Sequence, residues 1–162
     1  MLRKVTLLTA LVAVLTMVAA GAALAAVING TNGPDVLTGT SGDDEIHGYG
    51  GADELFGLAG VDYIYGGGGN DRIVGGDQGD FLYGNGGNDT IRGGGGADYI
   101  KGGLGDDFLY GGAGNDIIVS FDEERGIDFV YCGSGTDTVY ADPGDFVDAS
   151  CETVHRSPEP VI

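Results

Sequence analysis

The chain has 162 residues, among them 34 Gly, 25 Asp or Glu and only seven Lys or Arg, for a formal net charge of -18. That length suits one domain, and so acidic a chain is repelled by nucleic acid and by anionic membrane surfaces. Gly at about a fifth of the residues far exceeds the usual ~7%, yet only four Pro and a 42% hydrophobic content exclude collagen and a flexible linker, so the glycine must have a positional reason.

Residues 1–25 read as a signal peptide. Arg3 and Lys4 supply the positive n-region, and Val5 to Val18 form an apolar h-region interrupted only by Thr6, Thr9 and Thr16. Ala23-Leu24-Ala25 is an A-x-A cleavage site, so the mature, secreted chain is expected to start at Ala26 and to keep no membrane segment. The other reading, an uncleaved anchor, has an apolar stretch nearly long enough to span. The small Ala- and Gly-rich end of the stretch favours cleavage.

From Gly30 to Val119 the chain divides without a gap into ten nonapeptides: GTNGPDVLT, GTSGDDEIH, GYGGADELF, GLAGVDYIY, GGGGNDRIV, GGDQGDFLY, GNGGNDTIR, GGGGADYIK, GGLGDDFLY and GGAGNDIIV. Position 1 is always Gly and position 8 always Leu or Ile. Position 6 is always Asp: Asp35, Asp44, Asp53, Asp62, Asp71, Asp80, Asp89, Asp98, Asp107 and Asp116. Position 4 is Gly except at Gln78. Glycine permits positive φ and close backbone approach, so positions 1–6 read as a turn. Positions 7–9 read as a short strand whose middle residue points inward. Two repeats then make one coil of 18 residues, and five coils stack with parallel strands about 4.8 Å apart. Stacking divides the aspartates into an odd row (Asp35, Asp53, Asp71, Asp89, Asp107) and an even row (Asp44, Asp62, Asp80, Asp98, Asp116). Carboxylates roughly 5 Å apart repel by about 3 kcal/mol at an effective dielectric of 20, which summed along a row rivals the ~5–15 kcal/mol stability of a small domain.

The pattern G-G-x-G-x-D-x-U-x, with U aliphatic, resembles the RTX (hemolysin-type) calcium-binding repeat, and the resemblance covers residues 30–119. It implies an all-β fold, a parallel β-roll or right-handed β-helical solenoid, with calcium between the turns of successive coils and the position-6 carboxylates and turn carbonyls as ligands. A hard divalent cation between stacked carboxylates turns repulsion into attraction, and oxygen-only ligands select Ca²⁺ over Zn²⁺. Four gaps per row give up to about eight sites. The bland reading is that each Asp only caps its turn by a side-chain hydrogen bond. Gln78 departs from the pattern and puts the turn around Asp80 in doubt. Thr31, Thr40, Tyr49 and Leu58 replace the second Gly and are expected to lower affinity in the first coils.

On the even repeats, Tyr63, Phe81 and Tyr99 occupy position 7, and Tyr65 and Tyr83 occupy position 9, so one sheet should carry two adjacent aromatic ladders. These serve either cross-strand stacking or, as an exposed apolar face, adhesion to a protein or carbohydrate partner. After Val119 the period fails. Residues 120–162 read as a degenerate repeat and C-terminal cap, with Cys132 to Tyr140 as the repeat and Asp137 as a candidate terminal ligand. The stretch through Cys151 resembles the cysteine-bearing tails of secreted actinobacterial proteins of this type. Two Cys in an exported chain suggest one disulfide, Cys132–Cys151. His47 and His155 sit outside any nucleophile or zinc-ligand spacing, and no G-x-S-x-G turn occurs. The sequence therefore points to a secreted, non-enzymatic calcium-binding module on residues 26–119. The alternative is an adhesion protein in which calcium is only structural.

Overall fold

A computed structural model describes residues 24–122 and 126–156. The expected signal peptide falls almost wholly outside the described residues. Among those residues there is no helix, only strand and turn. The strands run β1 (Val27–Asn29), β2 (Val36–Thr38), β3 (Glu45–Gly50), β4 (Glu54–Ala59), β5 (Tyr63–Gly68), β6 (Arg72–Asp77), β7 (Phe81–Gly86) and β8 (Thr90–Gly95). They continue as β9 (Tyr99–Leu104), β10 (Phe108–Ala113), β11 (Ile117–Val119), β12 (Phe129–Ser134), β13 (Thr138–Ala141), β14 (Phe146–Val147) and β15 (Thr153–Arg156).

Odd-numbered strands stack in parallel as an eight-stranded sheet, and even-numbered strands as a seven-stranded one. Register steps by two repeats: Ile46 lies against Ile64, Ile64 against Leu82, and Leu82 against Ile100. The result is a parallel β-solenoid of about seven turns, longer than the five coils of the uninterrupted repeat. Most strands hold six residues rather than three. Each begins at position 7 and runs on through position 3 of the next repeat.

Alternation along this longer strand explains the interior. Positions 6, 8 and 1 face inward together, so from Asp44 to Gly111 every half-coil buries an Asp, an aliphatic residue and a Gly. The aliphatic column from Ile46 to Ile118 is fully buried, with Val130 and Val139 extending it. Its members come alternately from the two sheets and form one continuous core. Ile91→Ala in the middle of the column should cost about 2–5 kcal/mol through lost burial and the cavity left behind.

Glycine is required here by space as well as by φ. A Cβ on Gly66, at position 1, would lie 2.5 Å from Asp71 Oδ2 and 2.8 Å from the carbonyl of Gly84 in the next coil. From Tyr49 onward, positions 2 and 4 hold left-handed backbone, as at Gly67 (φ 112°) and Gly69 (φ 128°). Where the sequence departs from Gly, the backbone mostly keeps that form: Tyr49 (φ 73°), Leu58 (φ 86°), Gln78 (φ 77°) and Asn85 (φ 77°) all lie in a region costly for a side chain.

The tail closes the solenoid. Cys132 and Cys151 are disulfide-bonded, and β13 pairs with β15 from Thr138↔Thr153 to Ala141↔Arg156.

Gly66→Ala should lower the denaturant midpoint by the equivalent of about 1–3 kcal/mol or more. Gly95→Ala, whose Cβ would meet nothing within 4 Å, should leave it nearly unchanged.

A candidate cation ladder of buried carboxylates

All ten position-6 aspartates lie inside the solenoid, none more than 4% exposed. They stand in the two rows expected from an 18-residue coil, and their two carboxylate oxygens have different surroundings. Oδ1 accepts a hydrogen bond from the backbone N–H of the Asp one coil earlier. Asp35 N–H donates to Asp53, Asp53 to Asp71, Asp71 to Asp89 and Asp89 to Asp107, all at 2.7–2.8 Å. The even row repeats this from Asp44 to Asp116 at 2.8–2.9 Å. Each Asp carbonyl in turn accepts from position 7 of the next coil, as Asp35 does from Glu54 at 2.9 Å. The capping reading is therefore correct for one oxygen.

Beyond the first two aspartates, the other oxygen has no hydrogen-bond partner. From Asp53 to Asp116, every Oδ2 in both rows is buried and unsatisfied. Beside it lie the Cα of the position-1 Gly in its own repeat and the position-1 carbonyl of the next coil, as at Asp71 with Gly66 and Gly84. Asp71 Oδ2 and the Gly84 carbonyl thus border the same space beside Gly66, and no donor reaches that Oδ2. An unmet buried carboxylate oxygen carries a desolvation penalty. An Asn at position 6 would replace one carboxylate oxygen by a neutral donor, yet the ten repeats never use one. What Asp provides and Asn lacks is a second anionic oxygen. Among the described residues no three His, Cys, Asp or Glu side chains converge on one point. A cation here would take carboxylate oxygen from the rows and the rest of its shell from backbone carbonyls, a donor set that suits a hard ion such as Ca²⁺.

Electrostatics follow from burial first. Desolvation raises the carboxyl of Asp89 to about 8, that of Asp80 to about 7, and those of Asp62, Asp98 and Asp107 to about 6. The inter-coil N–H bond pulls each back down, and neighbouring carboxylates then add a smaller upward push. The dominant cost of the ladder is thus loss of water around each oxygen. Mutual repulsion, the leading cost expected from the sequence, ranks below it.

The structure adds rungs beyond the ten repeats. Asp107 N–H donates to Asp128 and Asp116 N–H to Asp137, each at 2.8 Å, and both acceptors are buried with Oδ2 unsatisfied. Burial also raises Asp128 to about 8. Asp145 follows Asp128 in the odd row (3.1 Å), and Glu152 follows Asp137 in the even row (2.9 Å). A count of nine misses Asp128 because three extra residues precede it. Asp137 is the terminal rung expected from the sequence; the local signature Asp-x-aliphatic in Asp128-Phe129-Val130 and Asp145-Phe146-Val147 could have found the other two. The turn at Gln78 keeps its left-handed backbone, and Asp80 sits in the ladder like its neighbours.

A model of the RTX calcium-binding nonapeptide repeat matches the chain in four overlapping or consecutive stretches, residues 29–64, 48–82, 83–118 and 124–145. The chain belongs to the RTX calcium-binding repeat family. The last match spans Asp128 and Asp137, so the family pattern takes in the two rungs that the strict nine-residue period omits. No curated protein matches the chain.

The expected aromatic ladders are present on the odd-numbered strands. Tyr63 stacks on Phe81 at 4.6 Å between ring centroids, and Tyr65 on Tyr83 at 5.0 Å, with His47 continuing the second ladder at 4.9 Å. A second pair of ladders, not foreseen, runs on the opposite sheet through Phe108–Phe129 and Tyr110–Tyr131. His47 also bonds Glu45 at 3.0 Å, and His155 stacks on Tyr140.

Two measurements follow for the RTX ladder. A carboxyl whose pKa is raised on folding binds its proton more tightly in the fold than in the unfolded chain. The metal-free fold is therefore most stable near and below the unfolded value of about 4 and loses stability as pH rises through about 6–8. The chelated chain should show a falling denaturant midpoint from about pH 5 to about pH 8, and added calcium should remove most of that slope. Asp89→Asn should stabilise the chelated chain while reducing bound calcium.

Proposed function

We propose that this is a secreted, non-enzymatic calcium-binding β-roll protein whose folding is completed by calcium outside the cell. The observation that carries this reading is the column of buried, unsatisfied Oδ2 atoms facing backbone carbonyls between successive coils. When bound, calcium would supply positive charge to these oxygens. Asp53 to Asp116 would hold it through Oδ2, and the glycine turns would leave room for backbone oxygens. The chain's own residues position the site. The aliphatic column spaces the coils, the Oδ1–amide bonds orient each carboxylate, and the left-handed turns at positions 2 and 4 present the carbonyls.

Export is supported by the n-region, h-region and Ala-x-Ala pattern of residues 1–25, and by the disulfide, which persists in oxidising compartments. Extracellular modules bind calcium at about 10⁻⁴–10⁻³ M. Such a ladder stays empty in the cytosol and fills on export. A non-catalytic role is supported by the use of both His residues in surface stacking. Face-to-face stacking of the aromatic rings on their own neighbours favours a strand-pairing role for those ladders over a partner surface.

At about pH 8, where the metal-free fold is weakest, chelator should abolish most of the strand signal in far-ultraviolet circular dichroism, and millimolar calcium should restore it cooperatively. A strand signal indifferent to chelator at that pH would contradict the reading. Tyr63→Ala should lower the stability of the calcium-loaded chain by about 0.5–1.5 kcal/mol through lost stacking.

A further inference from the structure

The carboxylates at the two ends of the ladder differ from those in the middle. Asp35 Oδ2 accepts from the Thr31 amide at 2.6 Å and from the Thr31 hydroxyl at 2.9 Å. Asp44 Oδ2 accepts from the Thr40 amide at 2.5 Å, and the Thr40 hydroxyl lies 3.1 Å from both carboxylate oxygens. At the other end, Asp145 Oδ2 accepts from the Ser120 hydroxyl and the Asp142 amide, each at 2.8 Å. Between these ends, Oδ2 is unsatisfied at every rung from Asp53 to Asp137.

We propose that Thr31, Thr40 and Ser120 are hydroxyl plugs: they give the terminal carboxylates Asp35, Asp44 and Asp145 the donors that calcium would otherwise replace, so both rows are closed without metal at their N-terminal end and the odd row also at its C-terminal end, and the rungs between bind the ion. This rests on the calcium-ladder reading above and deepens it by setting the ladder's limits.

At the N-terminal end the backbone of the turn changes at positions 2 and 4. Tyr49, Leu58 and the glycines from Gly67 onward hold positive φ at position 2, whereas Thr31 and Thr40 do not, and Gly33 and Gly42 at position 4 do not either. A β-branched residue resists positive φ. In the ordinary conformation its amide and hydroxyl both reach the carboxylate four residues on. Glycine at the same position would release both donors. At the C-terminal end the same task falls to Ser120, which stands where the interior repeats have the position-1 Gly. Solenoid ends differ from the repeats in the neighbours they meet. A hydroxyl satisfies the terminal oxygen without an ion to coordinate.

The test counts calcium bound to the full chain by equilibrium dialysis and atomic emission, with circular dichroism as a check on folding. Asp89→Asn should lower the count by about one ion, whereas Asp44→Asn should leave it unchanged. Thr40→Gly should raise the count by about one ion, because it frees Asp44 Oδ2 and restores the interior turn. Thr40→Val, which removes the hydroxyl but keeps the branched shape, should raise it by less. A loss of calcium on Asp44→Asn equal to that on Asp89→Asn would overturn the proposal. So would an unchanged count for Thr40→Gly, a variant that does not depend on how well Asp44→Asn folds. A native chain that binds no calcium would overturn the ladder reading itself. A native chain that binds calcium but loses it on Asp44→Asn would overturn the plugs alone.

Discussion

The structure depends on one repeated arrangement: a buried carboxylate with one oxygen bonded to an amide of the preceding coil and the other facing a carbonyl. The bonded oxygen sets the spacing and phase of the coils. The other introduces a charge that water no longer solvates. Because both oxygens belong to the same side chain, the group that aligns the solenoid is also the one that penalises its metal-free form. Burial drives the upward shift of Asp80, Asp89 and Asp128, so without a cation a proton is the only nearby remedy.

The remaining features follow from keeping that arrangement identical through every coil. Position 1 must be Gly because the carboxylate and the next carbonyl occupy the space of a Cβ, as Gly66 shows. Position 8 must be aliphatic because it supplies the apolar side chain to the narrow interior between the sheets. Positions 7 and 9 face outward and are free to vary, and the chain uses them for aromatic and cation–π stacking along each sheet, including Arg72 over Phe56 and Arg92 over Tyr110. Acidity and glycine content, which exclude most partner classes when read as composition, are two consequences of one geometry.

Much of this was legible in the sequence because the period is rigid. Nine residues per half-coil placed every position-6 Asp in its correct row, every position-8 Leu or Ile in the core, and Tyr63 beside Phe81. The disulfide followed from two cysteines in a chain that reads as exported. What escaped the sequence reading were effects that depend on neighbours a coil away. The strands run to six residues because glycine at positions 1–3 still pairs across coils, although glycine alone carries no strand signal. The unequal roles of the two carboxylate oxygens have no sequence signature. Asp128 was lost to a three-residue insertion that the fold absorbs in a loop while the ladder continues. Thr31 and Thr40 read as weakened repeats, and the structure gives them a positive task that only the direction of their amides and hydroxyls reveals.

The most direct measurement of the central claim is the calcium anomalous signal from crystals grown with the ion. The account predicts peaks in two rows between the coils, each beside the unsatisfied oxygen of an interior carboxylate such as Asp62, Asp71, Asp80 or Asp89. Peaks confined to exposed acids such as Asp43 or Asp106, with the interior rows empty, would contradict it.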